Sequence, residues 1–159
     1  MPRKTTKALV REVQPDRLYN SVQVQKVINR VMLNGKKQLA EKLVYSGMEK
    51  AASKLKVDNP LEVFEQAMKN IQPGVETRSR RVGGANYQIP FEVKGQRQQH
   101  LTIMWFTQAA RARKGMSMAD RIAAELQDAY NNQGAAVKKR EDTHKMAEAN
   151  RAFAHFARG

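Results

Sequence analysis

The segment Pro73–Val93, which reads PGVETRSRRVGGANYQIPFEV, has a pattern that is unlike the rest of the chain. The breaker pair Pro73-Gly74 precedes two runs of alternating polar and apolar residues, and a glycine pair separates these runs. This arrangement is typical of a β-hairpin with a short turn. Pro90 cannot donate to a neighbouring strand, so the second run is predicted to be an edge strand or to end near this residue. A hairpin is therefore expected over about residues 73–93.

The arginines of this segment indicate what the hairpin contacts. A two-stranded hairpin is marginally stable alone in water, so it needs a helical body at its base or a partner along its length. Arg78, Arg80 and Arg81 lie near the expected tip and favour a polyanionic partner. Gly83 and Gly84 allow positive φ or a close approach of the backbone to another surface. The alternative interpretation is a solvated turn whose charge is incidental.

Composition limits the classes of protein that the chain can belong to. The 159 residues suffice for one domain with a core, and 29 Lys and Arg against 15 Asp and Glu give a net charge of +14. Such an excess is typical of proteins that bind polyanions. The chain has no cysteine, and no apolar run approaches the ~20 residues that span a bilayer. Met1–Val10 is basic without the apolar core of a signal peptide, so we expect a cytoplasmic location and no membrane partner.

Apolar residues at helical spacing predict a mainly α protein, a single-domain bundle of about six helices with the hairpin between the third and the fourth. The helices are expected at about residues 24–32, 40–52, 60–71, 101–112, 118–130 and 135–156. Trp105 lies on the apolar stripe of the fourth helix and is interpreted as a core anchor, with a base-stacking platform as the alternative. The last helix is expected to pack through Met146, Ala149, Phe153 and Phe156.

The first 18 residues are predicted to form a basic extended arm that orders only on a partner, and residues 19–159 to form the helical domain. The arm has little periodic apolar content. Its candidate binding residues are Arg3, Lys4, Lys7 and Arg11.

Three further basic clusters are candidate binding sites. Lys26, Arg30, Lys36 and Lys37 gather positive charge at one end of the first helix pair. The cluster Arg111, Arg113 and Lys114 stands at a helix C-terminus, where the helix dipole already favours cations, so it is weaker support for binding. The cluster Lys138, Lys139 and Arg140 lies near a helix N-terminus, where the dipole opposes it. Nearby phosphates explain this last cluster, and a solvated turn is the alternative.

No catalytic pattern is present in the sequence. His100, His144 and His155 do not pair with one another or with a carboxylate at zinc-ligand spacing. Gly83-Gly84 is too short for a phosphate-cradling loop, and no serine lies in a nucleophile elbow. We therefore expect a protein that is not an enzyme and that has no metal and no cofactor.

Four segments resemble the bacterial small-subunit ribosomal protein seven family, in the order in which that family has them. These are Arg80–Pro90, Lys138–Arg151, Leu33–Lys37 and Pro60–Phe64. The similarity extends from about residue 10 to residue 156. The resemblance implies a helical bundle with a protruding hairpin, which agrees with the independent interpretation above.

The resemblance also implies a function. Members of this family bind small-subunit ribosomal RNA, nucleate assembly of the head domain and lie in the ribosome at the subunit interface. Their hairpin tip, here Arg80, Arg81, Val82, Gly83 and Gly84, lies near the exit-site transfer RNA and the messenger RNA path. They contact small-subunit proteins nine and eleven, and bacterial members can repress translation of their own messenger. A plastid source is compatible with the same pattern.

An architectural DNA-binding protein is the alternative function. Such proteins are also basic and helical, and many insert apolar wedges between base pairs. Val82 at the hairpin tip is a candidate wedge. Composition does not separate the two classes, whereas the motifs favour RNA.

Overall fold

The structure, a computed structural model, describes residues 11–158 and consists of six α-helices, one β-hairpin and a C-terminal 3₁₀ helix. The elements in chain order are α1 (Val22–Val31), α2 (Lys37–Leu55), α3 (Pro60–Ile71), β1 (Val75–Val82), β2 (Ala85–Glu92), α4 (Gly95–Ala112), α5 (Met118–Tyr130), α6 (Ala135–Ala149) and the 3₁₀ helix (Arg151–Arg158). The predicted fold class, a mainly α bundle with the hairpin between the third and fourth helices, is confirmed.

The hairpin has the two-residue turn that its glycines indicate. The strands β1 and β2 are antiparallel, and Val82 pairs with Ala85 across the turn. Gly83 and Gly84 have φ of +59° and +86°, which is the twist that a tight hairpin turn requires and which residues with a Cβ rarely adopt. Pro90 pairs with Thr77 in a sheet of only two strands, so its missing N–H faces no third strand.

Local side-chain caps explain where several helices begin. Ser21, Asn59 and Ser117 each precede a helix in extended conformation, and each side chain accepts a hydrogen bond from a backbone N–H of the first turn. Pro60 fits the first position of α3, where its missing N–H is not needed. The boundaries of α1, α3 and α5 therefore follow from local sequence.

The fourth helix packs against four other helices. The sequence predicted one apolar stripe for α4, but the structure buries Thr102, Ile103 and Phe106 together with the expected Trp105. This difference arises because α1, α3, α5 and α6 all contact α4, so most of its circumference faces other helices. Trp105, at 5% exposure, is confirmed as a core residue.

The second and fifth helices pack with unusual closeness at Gly47. A Cβ atom at this position would lie 2.6 Å from Cγ2 of Ile122. The absence of a side chain at Gly47 therefore allows α2 to approach α5, and burying these apolar faces stabilises the bundle.

The folded body begins before residue 19, in contrast to the predicted arm. Asp16 is 3% exposed, and its carboxylate accepts hydrogen bonds from the backbone N–H of Leu18, Tyr19 and Ser21 and from the Tyr45 hydroxyl. Burial opposes the charge of Asp16, but these hydrogen bonds outweigh it and lower the pKa of the carboxyl. Burial and the bond to Asp16 raise the pKa of Tyr45 to about 12. The carboxylate thus attaches the chain entering α1 to α2.

The last helix is shorter than predicted. The α-helix ends at Ala149, and residues 151–158 form a 3₁₀ helix. Met146 is 50% exposed and Ala149 is exposed, so they are not the packing side of α6, which is formed by Ala136, Val137 and Ala147. Phe153 and Phe156 instead contact Tyr87 of the hairpin, with ring centroids 5.0 and 5.6 Å from the tyrosine ring.

Two polar contacts fix the base of the hairpin. Glu76 is 7% exposed, and its carboxylate accepts hydrogen bonds from Arg78 on the same strand and from Arg97 on α4. Burial works against its charge, but the two guanidinium groups lower its pKa. His144 on α6 accepts a hydrogen bond from the backbone N–H of Gly74 through Nε2, at 3.0 Å. The direction of the hairpin is therefore set by α4 and α6.

None of the helices in residues 11–158 is long and apolar enough to cross a membrane.

The His144 contact predicts a pH dependence of folding. Burial and Arg140 lower the pKa of His144, so the folded chain binds fewer protons than the unfolded chain, whose histidines titrate near ~6.5. Stability should therefore fall as the pH decreases through this range, because protonated His144 cannot accept the N–H of Gly74. Urea unfolding at pH 7.5 and pH 5.5 should show a smaller difference for His144→Gln, whose amide oxygen accepts at either pH. Exposed His155→Gln is the control, and an unchanged pH dependence in His144→Gln would contradict the assignment.

Candidate nucleic-acid interface

Five of the candidate residues lie side by side along one surface, which we call the basic band: Arg11, Lys26, Arg30, Arg111 and Lys36. The first three line one groove, and Arg111 lines a second hollow with Lys36. The guanidinium of Arg111 donates to the backbone carbonyl of Arg30 at 3.0 Å and so joins the two. Residues that are up to about a hundred positions apart in sequence therefore form one continuous positive surface.

The loop between α1 and α2 places two lysines at the end of the basic band. Asn34 and Gly35 have φ of +52° and +71°, and this turn projects Lys36 and Lys37 outward. Both lysines are exposed, and within residues 11–158 neither forms an ion pair with a carboxylate. Their charges are available to an external anion.

The basic band borders a groove between α1 and α4, which we call the α1/α4 groove. Its volume is about 790 Å³, and it is lined by Arg11, Glu12, Val13, Val22, Lys26, Asn29, Arg30, Gln96, Gln99, His100, Ile103 and Met104. Lys26 donates a hydrogen bond to Gln99 across the groove. The groove therefore combines cations, amides and an apolar floor.

Arg113 has a structural partner that the sequence interpretation did not identify. Its guanidinium donates to Oε2 of Glu125 at 3.0 and 2.8 Å and also to Asp128. Burial opposes its charge, but the hydrogen bonds to Asp128 and Glu125 raise its pKa. Glu125 is fully buried, so this ion pair stabilises the bundle, and we omit Arg113 from the interface that we propose. Lys114, the next residue, is exposed.

The cluster on α6 divides into two kinds of residue. Lys138 and Lys139 are exposed in the second turn of the helix. Arg140 is half-buried, and its guanidinium donates to the backbone carbonyl of Asn70 and to Oδ1 of Asn132. Arg140 therefore attaches α6 to α3, whereas the two lysines face solvent. No described contact connects them with the basic band.

The arginines of the hairpin are also not equivalent. Arg78 pairs with Ile89 in mid-strand, forms an ion pair with Glu76 and stacks over Phe91 at 5.1 Å, so it does not belong to the tip. Arg80 donates to the carbonyl of Phe156 at 3.0 Å. Arg81 is exposed beside the turn. Arg78 shares the single carboxylate of Glu76 with Arg97, so its charge is only partly balanced within the protein, and its contact with RNA stays a prediction.

Some candidate residues lie outside the part of the chain that the structure describes, namely Arg3, Lys4 and Lys7. Across residues 11–158, no group of three or more His, Cys, Asp or Glu side chains is placed to hold a metal ion.

Several residues of this surface were missed by sequence reasoning. Asn29, Gln96 and Gln99 could not be predicted from sequence, because a single amide side chain on a helix does not indicate a binding site. Their role becomes apparent only when α1 and α4 bring the amides together in one groove. Arg121 joins the hollow beside Lys36 and donates to the carbonyl of Met116 at 2.9 Å. Leu33 and Leu39 lie next to the loop lysines and are 65% and 52% exposed. Their place beside the Asn34-Gly35 turn was the sequence feature that could have indicated exposed apolar residues in this surface.

The fold and surface define a class of protein: a basic, mainly α-helical bundle with a β-hairpin and, in residues 11–158, no group of side chains placed to hold a metal ion. A family model described as Ribosomal protein S7p/S5e matches residues 2–151. Proteins named small ribosomal subunit protein uS7 are similar over nearly their whole length. That of Symbiobacterium thermophilum is 58% identical over 146 residues, which cover 92% of this chain and 93% of that protein. That of Thermosipho africanus is 55% identical over 150 residues, which cover 94% and 96%.

The chain belongs to the ribosomal protein S7p/S5e family. It is a structural, non-enzymatic constituent of the small ribosomal subunit and acts in translation. The resemblance drawn from the four motifs is thereby confirmed, and the alternative of an architectural DNA-binding protein is set aside.

Arg113 forms a buried ion pair and Arg111 is exposed, so substituting each should affect a different property. Arg113→Gln leaves the buried carboxylate of Glu125 without its cation, and breaking a buried pair in this way costs ~3–5 kcal/mol of unfolding free energy. Arg111→Gln, two residues away and exposed, should change stability by less than ~0.5 kcal/mol but weaken RNA binding. Urea unfolding and filter binding measure the two effects.

The double variant Arg113→Gln/Glu125→Gln removes both charges and should recover part of the lost stability. A stable Arg113→Gln protein with weakened RNA binding would show that Arg113 contacts RNA instead.

Proposed function

We propose that this protein binds small-subunit ribosomal RNA directly, through the basic band and the hairpin tip. The observation that supports this most strongly is the continuity of the basic band, in which Arg11, Lys26, Arg30, Arg111 and Lys36 come from separate parts of the chain. Phosphate contacts account for much of the affinity of proteins for nucleic acids, and they need cations that are not neutralised within the protein. These residues meet that condition.

The position of the protein in the subunit is part of the proposal. A rigid basic surface that gathers distant RNA segments would nucleate folding of the head domain. The hairpin would extend from the bound body at the subunit interface toward the exit-site transfer RNA and the messenger RNA path. Its two-residue turn and its attachment to α4 and α6 support this arrangement, because they hold the tip in one direction.

The proposed partners also include small-subunit proteins nine and eleven, which the family resemblance implies as neighbours. Repression of the protein's own messenger would use the same basic surface, since a messenger that resembles the ribosomal site competes for one set of cations. We place the protein in the cytoplasm, within the ribosome.

Removing the loop lysines should weaken RNA binding without changing the fold. Lys36→Ala/Lys37→Ala should lower affinity for head-domain RNA, because both side chains are exposed and unpaired within the described residues. The matched control is Lys54→Ala/Lys69→Ala, which removes the same charge from exposed positions on α2 and α3. Filter binding measures affinity, and circular dichroism should show unchanged helix content. Equal losses in the two double variants would indicate that net charge, not position, determines binding.

The hairpin tip should contribute to the salt dependence of binding. Each lost phosphate contact reduces the slope of log affinity against log salt by about one unit, so Arg81→Ala should flatten this slope. Arg78→Ala is the control, because Arg78 is held by Glu76 in mid-strand. In reconstituted subunits, Arg81→Ala should also speed release of exit-site transfer RNA. If neither the slope nor the release rate changes, the tip is a solvated turn.

A further inference from the structure

The α1/α4 groove differs from a surface that binds only phosphates, because it is concave and chemically mixed. Its volume of about 790 Å³ lies within the range of ~300–1,000 Å³ of pockets that hold small ligands. Arg11, Lys26 and Arg30 stand along it, and Val22, Ile103 and Met104 supply apolar surface. A phosphate needs none of this apolar surface, so the groove matches a ligand that has both an anionic and an apolar part.

The apolar part of the groove is open to a ligand. Val22 is 41% exposed at the first position of α1, although it is followed by a helix whose other valines are buried. Ile103 is 6% exposed and belongs to the core, whereas Met104 is partly exposed, so Val22 and Met104 provide the accessible apolar surface and α4 supports it. A flat ring that covers this surface would gain the free energy of apolar burial.

The polar groups beside this floor are those that read the edges of bases. Gln25 is 5% exposed and donates to Oδ1 of Asn29 at 2.9 Å, which fixes the orientation of the Asn29 amide. The amide of Gln96 is exposed, and within residues 11–158 it bonds to no other side chain. Amides present a donor and an acceptor together, as base edges do. Glu12 also lines the groove and would repel a phosphate near it, so we place the anionic part of the ligand at Lys26 and Arg30.

We propose that the α1/α4 groove holds an unpaired nucleotide of a single-stranded RNA segment. The base covers Val22 and Met104, its edge meets Asn29 and Gln96, and its phosphate meets Lys26 and Arg30. A paired nucleotide does not meet these conditions, because a duplex presents its phosphates and hydroxyl groups outward and keeps its bases stacked. This inference rests on the proposed RNA binding and adds a site at which the identity of a base matters.

The test uses the full chain and five hexaribonucleotides that differ only at the third position, which carries U, C, A, G or no base. At least one base-containing probe should bind about tenfold more tightly than the abasic probe, which is ~1.4 kcal/mol. In Asn29→Ala/Gln96→Ala this ratio should fall toward one, while the salt slope stays unchanged because no cation is lost. The control Gln38→Ala/Gln133→Ala, which removes two exposed amides outside the groove, should retain the ratio.

Equal binding of all five probes by the unsubstituted protein would overturn the inference. An affinity ratio of base-containing to abasic probe that is unchanged in Asn29→Ala/Gln96→Ala would also overturn it. Binding of intact small-subunit RNA is measured in parallel. If the unsubstituted protein does not bind the intact RNA, the proposed function itself is refuted. Retained binding of the intact RNA with no preference for a base would refute only the nucleotide site.

Discussion

The buried carboxylate of Glu125 is the contact on which the arrangement of the last third of the chain depends. One oxygen accepts two hydrogen bonds from Arg113 at the end of α4, and the other accepts the N–H of Ala136 in the first turn of α6, at 3.0 Å. A helix N-terminus has unpaired N–H groups and a partial positive charge, and the residue before α6, Gly134, has no side chain to cap them. Glu125 therefore caps α6 from a different helix. A Cβ atom at Gly134 would lie 2.9 Å from Cβ of Asp128 and 3.2 Å from the Glu125 oxygen, so glycine is required for this approach.

The position of α6 then determines where the hairpin lies. His144 accepts the N–H of Gly74 at the start of the hairpin, and Met146 accepts the Thr77 hydroxyl at 3.2 Å. Beyond α6, the 3₁₀ helix brings Phe153 and Phe156 onto Tyr87, which stands in the third residue pair from the turn. A chain of contacts thus leads from one buried carboxylate to the tip arginines. A hairpin of two strands, which would be marginal alone, gains its stability and its direction from this support.

Features determined by local sequence were predictable, and those determined by distant contacts were not. The Gly83-Gly84 turn and the Asn59-Pro60 helix start each follow from backbone preferences of a few residues, and both are present in the structure. Arg113 was kept among the candidate RNA-binding residues, although the helix dipole already explained a cation there, because nothing local indicates a carboxylate twelve residues later. The end of α6 at Ala149 was missed for a similar reason, since Phe153 and Phe156 continue a helical spacing but contact the hairpin. For the site, the sequence identified all five cations of the basic band, but the amides of the groove became visible only when α1 and α4 were placed side by side.

The ion pairs that organise the fold and the cations that face outward are of different kinds. Glu76 and Glu125 are buried and bind Arg97 and Arg113 through paired hydrogen bonds, a geometry that the planar guanidinium fits. Lys36, Lys37, Lys138 and Lys139 are exposed, with strongly hydrated ammonium groups. Salt screens exposed charges over a Debye length of ~8–10 Å, whereas buried pairs are screened much less. The carboxylates that stabilise the fold are thus placed where added salt has little effect, and they neutralise few of the outward cations. The exposed cations of residues 11–158 therefore keep their charge at the surface, where the phosphates of a partner can offset it.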